Sequence, residues 1–248
     1  MSQKYLHDQV VPDETSLNSK KEQVASMFNR IAGRYDFLNR FLSAGIDVGW
    51  RKKALALLSP LQPKTILDVA TGTADVAIMA AERLRPHKII GIDIADRMLD
   101  IGRQKINVRG WEYIIELQNG DSETINFPDD SFDAVTISFG VRNFENLEKG
   151  LSEIYRVLKP GGRLVVLEFS KPLIPGFKQV YNGYMKLVAP QLVSVFASDK
   201  KAYQYLNQSI QAFPEGKQFV NILKKIGFKH PSCKPLTLGI CSIYWGDK

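Results

Sequence analysis

The chain has 248 residues, 44% of them hydrophobic and 24% charged, and its 33 Lys and Arg outnumber 26 Asp and Glu for a net charge of +7. That composition excludes a mainly disordered chain, and the 18 Gly and 12 Pro recur with no period that would make a collagen-like repeat. The basic excess suits nucleic acid, an anionic membrane surface or ordinary solvation, but the cations are scattered (Arg51, Lys52 and Lys53 are the tightest group), and no arginine-rich or aromatic-interleaved motif stands out.

Residues 1–20 are polar and unpatterned, without the apolar segment of a signal peptide, and read as a flexible tail. The remainder, 21–248, reads as a single domain. From Glu22 onward Val24, Met27, Phe28, Ile31, Tyr35, Leu38, Phe41 and Leu42 recur mostly at spacings of three and four, which predicts an amphipathic helix that Gly33 and Gly45 interrupt or end. A second helix over 50–58 stops before Ser59 and Pro60, so that 21–58 form an N-terminal helical addition.

The rhythm then becomes strand, loop, helix. Strands are predicted at 65–70, 88–93, 113–117, 132–138 and 163–169, with helices at 74–84, 96–108 and 147–158 between them. Residues 172–212 break the alternation with aromatic-rich helical stretches. A helix at 215–226, a strand near Phe228 and a last strand at 238–245 close the chain. Such alternation predicts an α/β fold with a mostly parallel sheet covered by helices on both faces. The most apolar late stretch, 187–197, contains Pro190 and is too short to span a bilayer, so a cytoplasmic protein is expected. Two cysteines, Cys233 and Cys241, are read as reduced thiols. With His7, His87 and His230 far apart, no metal site is expected.

In open α/β sheets, ligands sit beyond the carboxyl ends of the strands. The first such end is Asp68-Val-Ala-Thr-Gly-Thr-Ala-Asp75; the second is Asp93, placed after Gly72 at the spacing of a ribose-binding acid. A dinucleotide requires a glycine-rich pyrophosphate cradle, whereas here Gly72 stands alone between two carboxylates that would repel phosphate. A cationic, phosphate-free sulfonium cofactor, S-adenosylmethionine, suits that loop better than NAD. At the third strand end Asp121 is placed to accept from an adenine amino group beside the N–H of Ser122. Each aspartate taken singly has a plainer role as a turn or helix cap.

These motifs resemble those of class I S-adenosylmethionine-dependent methyltransferases. Arg156-Val-Leu-Lys-Pro-Gly-Gly-Arg-Leu-Val-Val-Leu-Glu-Phe-Ser170 resembles the signature of the UbiE-type quinone C-methyltransferases of menaquinone and ubiquinone biosynthesis. Ser138-Phe-Gly-Val-Arg-Asn143 and Tyr35-Asp-Phe-Leu-Asn39 with Leu42, Ser43 and Trp50 are also similar to that family. Two positions depart from it: Asp47 where the pattern has His, and Leu38 where it has Met. The resemblance implies a Rossmann-like, seven-stranded methyltransferase domain with 172–212 as a helical cap over substrate. It implies cofactor binding by Thr73, Asp93, Asp121, Ser122 and Ser138, with Asp68 and Gly72 from the wider superfamily motif.

The reaction it implies is C-methylation of demethylmenaquinol, with the ubiquinone-pathway benzoquinol as the alternative acceptor. An RNA methyltransferase and an NAD-dependent oxidoreductase are the competing classes. A quinone ring is electrophilic, so the acceptor is the quinol, whose ring carbon becomes nucleophilic when a hydroxyl ionises. Arg142 is expected to stabilise that oxyanion, Asn143 to orient the second oxygen, and Tyr35 to serve as wall or proton relay; the plainer role of Arg142 is a pair with Glu145 or Glu168. The expected partners are the polyprenyl naphthoquinol and a weakly held membrane surface, with a homodimer left open and nucleic acid not among them.

Overall fold

The computed structural model describes residues 5–43, 45–172 and 200–248, together with Gly176, Gln179 and Gly183. The 172–212 addition therefore falls largely outside the described residues.

Seven strands form one sheet in the order β3-β2-β1-β4-β5-β7-β6. They are β1 (Thr65–Val69), β2 (Lys88–Asp93), β3 (Ile115–Asn119), β4 (Phe132–Ser138), β5 (Leu158–Phe169), β6 (Lys229–Leu236) and β7 (Cys241–Asp247). β1 to β5 run parallel, and β7 pairs antiparallel with both β5 and β6. The helices among the described residues are α1 (Lys20–Leu42), α2 (Ile46–Ala56), α3 (Asp75–Leu84), α4 (Asp96–Val108), α5 (Leu147–Val157), α6 (Lys200–Ala212) and α7 (Lys217–Ile226).

The two-residue period of the strands divides the core. Ile66, Ala134, Val165 and Ile243 face one side, packed with Trp50 and Leu55 of α2, Ile78 of α3 and Leu99 of α4. Leu67, Val135, Val166 and Tyr244 face the other, against Leu151 and Ile154 of α5 and Phe219 and Leu223 of α7. Near-continuous apolar strands are what burial on both faces demands. The strand order reverses between β1 and β4, so their carboxyl ends flank the crevice where ligands enter such sheets.

Three expectations are corrected. Gly33 does not break α1, which runs unbroken from Lys20 to Leu42: Val24, Met27 and Ala32 are buried, and that packing outweighs the roughly 1 kcal/mol that a helical glycine costs relative to alanine. The strand predicted at 163–169 begins earlier, because the Lys159-Pro-Gly-Gly stretch left between it and the 147–158 helix belongs to β5 (Leu158–Phe169). Residues 5–19, read as a flexible tail, are a packed strap. His7 is fully buried with its ring edge-on to Phe213, the Tyr5 hydroxyl donates to Glu148 (2.7 Å), and Lys201 pairs with Asp13 (2.7 Å). Gly45, with φ +76°, ends the α1 turn as read.

Candidate active site

The ends of β1, β2, β3 and β4 open into one cleft, with Lys21, Val24, Phe28 and Tyr35 of α1 along one wall. Its walls bring together Gly72, Asp93, Asp121, Ser122, Ser138, Asn143 and Tyr35 of the expected residues. A smaller cavity adjoins it and is lined by Asp68 and Thr73, with Asp36 and Arg51.

The loop after β1 turns sharply. Gly72 (φ +57°) takes the left-handed conformation that glycine tolerates, and Ala70 and Ala74 are forced into it (φ +54° and +63°). The strain is held by Asp68, buried under the loop, which accepts from the Thr71 (2.6 Å) and Thr136 (2.5 Å) hydroxyls. Burial pushes its acid up to about 6, against the pull of those two donors. Asp68 thus braces the turn. Asp93 closes it from β2, accepting from the Gly72 N–H (2.8 Å) and the Ala95 N–H (2.9 Å); burial raises this carboxyl as well.

Across the crevice Phe139 also has positive φ (+60°), unusual for a bulky residue, while its N–H donates to Leu167 (2.7 Å). The kink lets Gly140 meet the β1 loop so closely that a Cβ there would lie 2.4 Å from the Ala70 methyl carbon.

Ion pairs tie the α1 wall down at both ends. Lys21 pairs with Asp121, whose other oxygen accepts from the Glu123 N–H (2.9 Å). Asp36 accepts from the Thr73 hydroxyl (2.6 Å) and from Lys105 (3.0 Å). Lys105 also pairs with Asp75, which Arg51 contacts at 2.9 Å. Burial alone would raise Asp75, but Lys105 and Arg51 hold it below the usual carboxylate range. The Thr73 hydroxyl is thereby committed between Asp36 and Lys105 rather than to the main cleft.

Arg142 departs from the role expected of it. Its side chain is buried behind the cleft wall, donating to Glu168 (2.7 Å) and to the Phe139 carbonyl (2.5 Å), with the Phe169 ring 5.6 Å from the guanidinium carbon. Glu168 is itself fully buried, and an unpaired carboxylate there would be prohibitive, so it captures the guanidinium. Asn143, the next residue, does line the cleft, and its carbonyl oxygen accepts from the Tyr205 hydroxyl of α6 (3.1 Å). Sequence reasoning gave no role to Lys21, Asp36, Lys105, Phe139 or Tyr205, although Asp36 and Phe139 lie within the Tyr35–Asn39 and Ser138–Asn143 stretches that resemble the family.

This donor set fits S-adenosylmethionine. Asp93 and Asp121 offer acceptors for a ribose diol and an adenine amine, the Gly72 turn takes a positive φ (+57°) that a side chain would strain, and carboxylates replace the basic cradle that a pyrophosphate needs. Fold and cleft together define a class I S-adenosylmethionine-dependent methyltransferase. Solved structures agree at the level of the fold: a Thermotoga maritima S-adenosylmethionine-dependent methyltransferase has TM-score 0.63 at 18% identity, covering 90% of this chain and 98% of that one. Haemonchus contortus phosphoethanolamine N-methyltransferase 2, solved with S-adenosylmethionine, has TM-score 0.58 at 17% identity, covering 79% and 52%.

The ubiE/COQ5 methyltransferase family matches residues 15–248, and the chain belongs to that family. It is 46% identical over 229 residues to the Bacteroides fragilis demethylmenaquinone methyltransferase, covering 92% of this chain and 94% of that protein. The Thermus thermophilus demethylmenaquinone methyltransferase is 45% identical over 222 residues, covering 90% and 100%. The Geotalea daltonii ubiquinone/menaquinone biosynthesis C-methyltransferase UbiE is 45% identical over 233 residues, covering 94% and 99%.

Proposed function

We propose that this protein C-methylates demethylmenaquinol to menaquinol. The observation that carries the reading is a carboxylate-lined cleft with a single-glycine turn at the β1/β4 crossover, in a chain that the ubiE/COQ5 family matches over residues 15–248. The relatives named as demethylmenaquinone methyltransferases favour the naphthoquinol; the double name of the Geotalea protein keeps the benzoquinol as the alternative acceptor.

Asp93 would hold the cofactor's ribose, and Asp121 with Ser122 its adenine. Ser138 and the Gly72 turn would line its remaining length, with Asp68 and Thr73 bracing that turn. S-adenosylmethionine, when bound, supplies an electrophilic methyl group on a sulfonium. The chain's own task is the acceptor. A phenol-like hydroxyl ionises near pH 10 in water, so a donor aimed at the developing oxyanion lowers the barrier. The Asn143 amide N–H is that donor, and Arg142, paired with Glu168, holds the same turn in place from behind the cleft wall. Tyr35 and Phe28, stacked edge-on at 5.7 Å, wall the ring and exclude water. The apolar side of α1 and residues 172–212 would line the prenyl groove.

The chain would work at a membrane surface. Phe37 (53% exposed) and Ile46 (46%) are exposed on α1 and α2, the same helices that carry the exposed Arg34, Arg40, Lys52 and Lys53, and each such cation is worth roughly 1 kcal/mol near anionic lipid. Among the described residues no helix is long and apolar enough to cross a bilayer. Equal binding to vesicles with and without anionic lipid would rule this docking out.

The test of function is mass spectrometry of the protein with S-adenosylmethionine and a short-tailed demethylmenaquinone, with and without reductant. A product one methyl heavier, formed only under reduction, is expected. No product with the naphthoquinol but turnover with a demethylated benzoquinol would transfer the reading to the alternative acceptor.

A further inference from the structure

Asn143 carries an ambiguity that its side chain cannot resolve alone: rotated by 180°, its amide presents either a donor or an acceptor to the cleft. The structure contains a device that removes it. The Tyr205 ring is 2% exposed, buried among Val24 and Met27 of α1, and its hydroxyl reaches the Asn143 carbonyl oxygen at 3.1 Å. The phenol proton has no other acceptor among the described residues, so flipping the amide would strand a buried donor, which costs roughly 1–3 kcal/mol. The Asn143 Nδ2, in turn, donates to nothing among the described residues, and the residue lines the cleft. The backbone of the same turn is fixed independently. Glu168 accepts from the Arg142 N–H (3.3 Å) and guanidinium (2.7 Å), and Lys20 reaches the Arg142 carbonyl (3.5 Å).

We infer that Tyr205 is a positioning residue for the methyl acceptor: its hydroxyl locks the Asn143 amide with the NH2 group facing the cleft, where it donates to the quinol oxygen as negative charge develops. A locked donor stabilises the oxyanion, whereas an unlocked amide spends part of its time presenting a carbonyl that repels it. Burial holds the Tyr205 phenol far above its ordinary ionisation range, so it remains a donor at any working pH. The inference rests on the quinol reading above and extends it to a residue that never touches substrate.

The test is a double-mutant cycle of Tyr205→Phe and Asn143→Ala, read three ways. Phe keeps the ring against Val24 and Met27, and thermal melting checks that it does. Removing one oxyanion donor costs about 10²–10³ in kcat, and unlocking it should cost about tenfold. Tyr205→Phe should therefore lower kcat about tenfold while the KM for S-adenosylmethionine stays unchanged. In the Asn143→Ala background it should do nothing further. The second reading needs no turnover: a naphthol bound to the protein with S-adenosylhomocysteine is titrated by the absorbance of its anion. Wild type should ionise it at lower pH than Tyr205→Phe, by about one pH unit for a tenfold effect. Wild-type kcat in Tyr205→Phe, losses that multiply in the double variant, or identical naphthol titrations would overturn the inference. A wild-type protein that methylates no quinol would instead overturn the functional reading, and the naphthol titration would still decide the role of Tyr205.

Discussion

Replacing Arg142 by methionine separates a structural guanidinium from a substrate-facing one. The perturbation removes the partner of a carboxylate that is fully buried. Glu168 would keep the N–H groups of Arg142 (3.3 Å) and Phe169 (2.9 Å) but lose the charged contact at 2.7 Å. Breaking one side of a buried ion pair costs about 3–5 kcal/mol, and the two surviving donors place this case near 3. With a urea slope of about 3 kcal/mol/M for a chain of this size, the unfolding midpoint should fall by roughly 1 M. Removing both charges relieves the stranded carboxylate, so Arg142→Met combined with Glu168→Gln, whose amide oxygen keeps an acceptor for those N–H groups, should recover most of the loss. The assay is equilibrium urea unfolding followed by circular dichroism, with cofactor binding by calorimetry on each variant. If Arg142→Met alone unfolds at the wild-type midpoint, or the double variant is no more stable than the single one, the guanidinium is not committed to Glu168. The substrate-facing role would then return.

Asp93→Ala strands the Gly72 and Ala95 N–H groups and removes the ribose acceptor; calorimetry should show S-adenosylmethionine affinity weakened by about 10- to 100-fold, at roughly 1.5–3 kcal/mol for charged hydrogen bonds. Gly140→Ala sets a methyl 2.4 Å from that of Ala70 and forces β1 and β4 apart at the crossover. Cofactor binding should weaken while circular dichroism keeps its helical signature, and an unchanged Kd would show that the cleft tolerates the spreading. His7 is held neutral: burial first, then the nearby Lys20, push it down to about 3 from 6.5. The unfolded chain takes up a proton near 6.5 that the native state refuses, so stability is lost as pH falls below 6.5 toward 3, by about 2 kcal/mol at pH 5. Urea unfolding at pH 7 and pH 5 should show that loss in wild type and its absence in His7→Leu.

The sequence exposes the parallel sheet because burial on both faces writes apolar runs such as Ile66-Leu67 and Val165-Val166-Leu167 between turn residues. It exposes Asp93 and Asp121 because they fall at or just past successive strand ends, where such sheets bind ligands, although either alone reads as a cap. It hides pairings made across the fold. Lys21 and Asp121 stand 100 residues apart, and Tyr205 and Asn143 stand 62 apart; neither pair has a local period. The Arg142 reading fails for the same reason. A guanidinium after β4 looks available until Glu168, 26 residues on, emerges fully buried beside it. The strap at 5–19 is equally silent, since what orders it is the Phe213 ring and the Glu148 carboxylate supplied from elsewhere.

α1 joins these features into one device. Its Lys21 end pairs with the acid expected to read adenine, and its Asp36 end clasps the Thr73 hydroxyl beside the glycine turn. Between them Val24 and Met27 cover the Tyr205 ring. The helix that walls the cofactor cleft therefore also packs the residue that aims the acceptor donor. A substitution that tilts α1 should disturb cofactor affinity and acceptor chemistry together, whereas Tyr205→Phe should disturb only the second. Lys21→Met makes the contrast measurable. It frees one end of the helix without touching Tyr205, and it leaves Asp121 with the Glu123 N–H as its remaining donor. The KM for S-adenosylmethionine should rise and the apparent pKa of a bound naphthol should rise with it. A change in cofactor KM with an unmoved naphthol titration would mean that the two halves of the site are independent and that α1 is a wall for the cofactor alone.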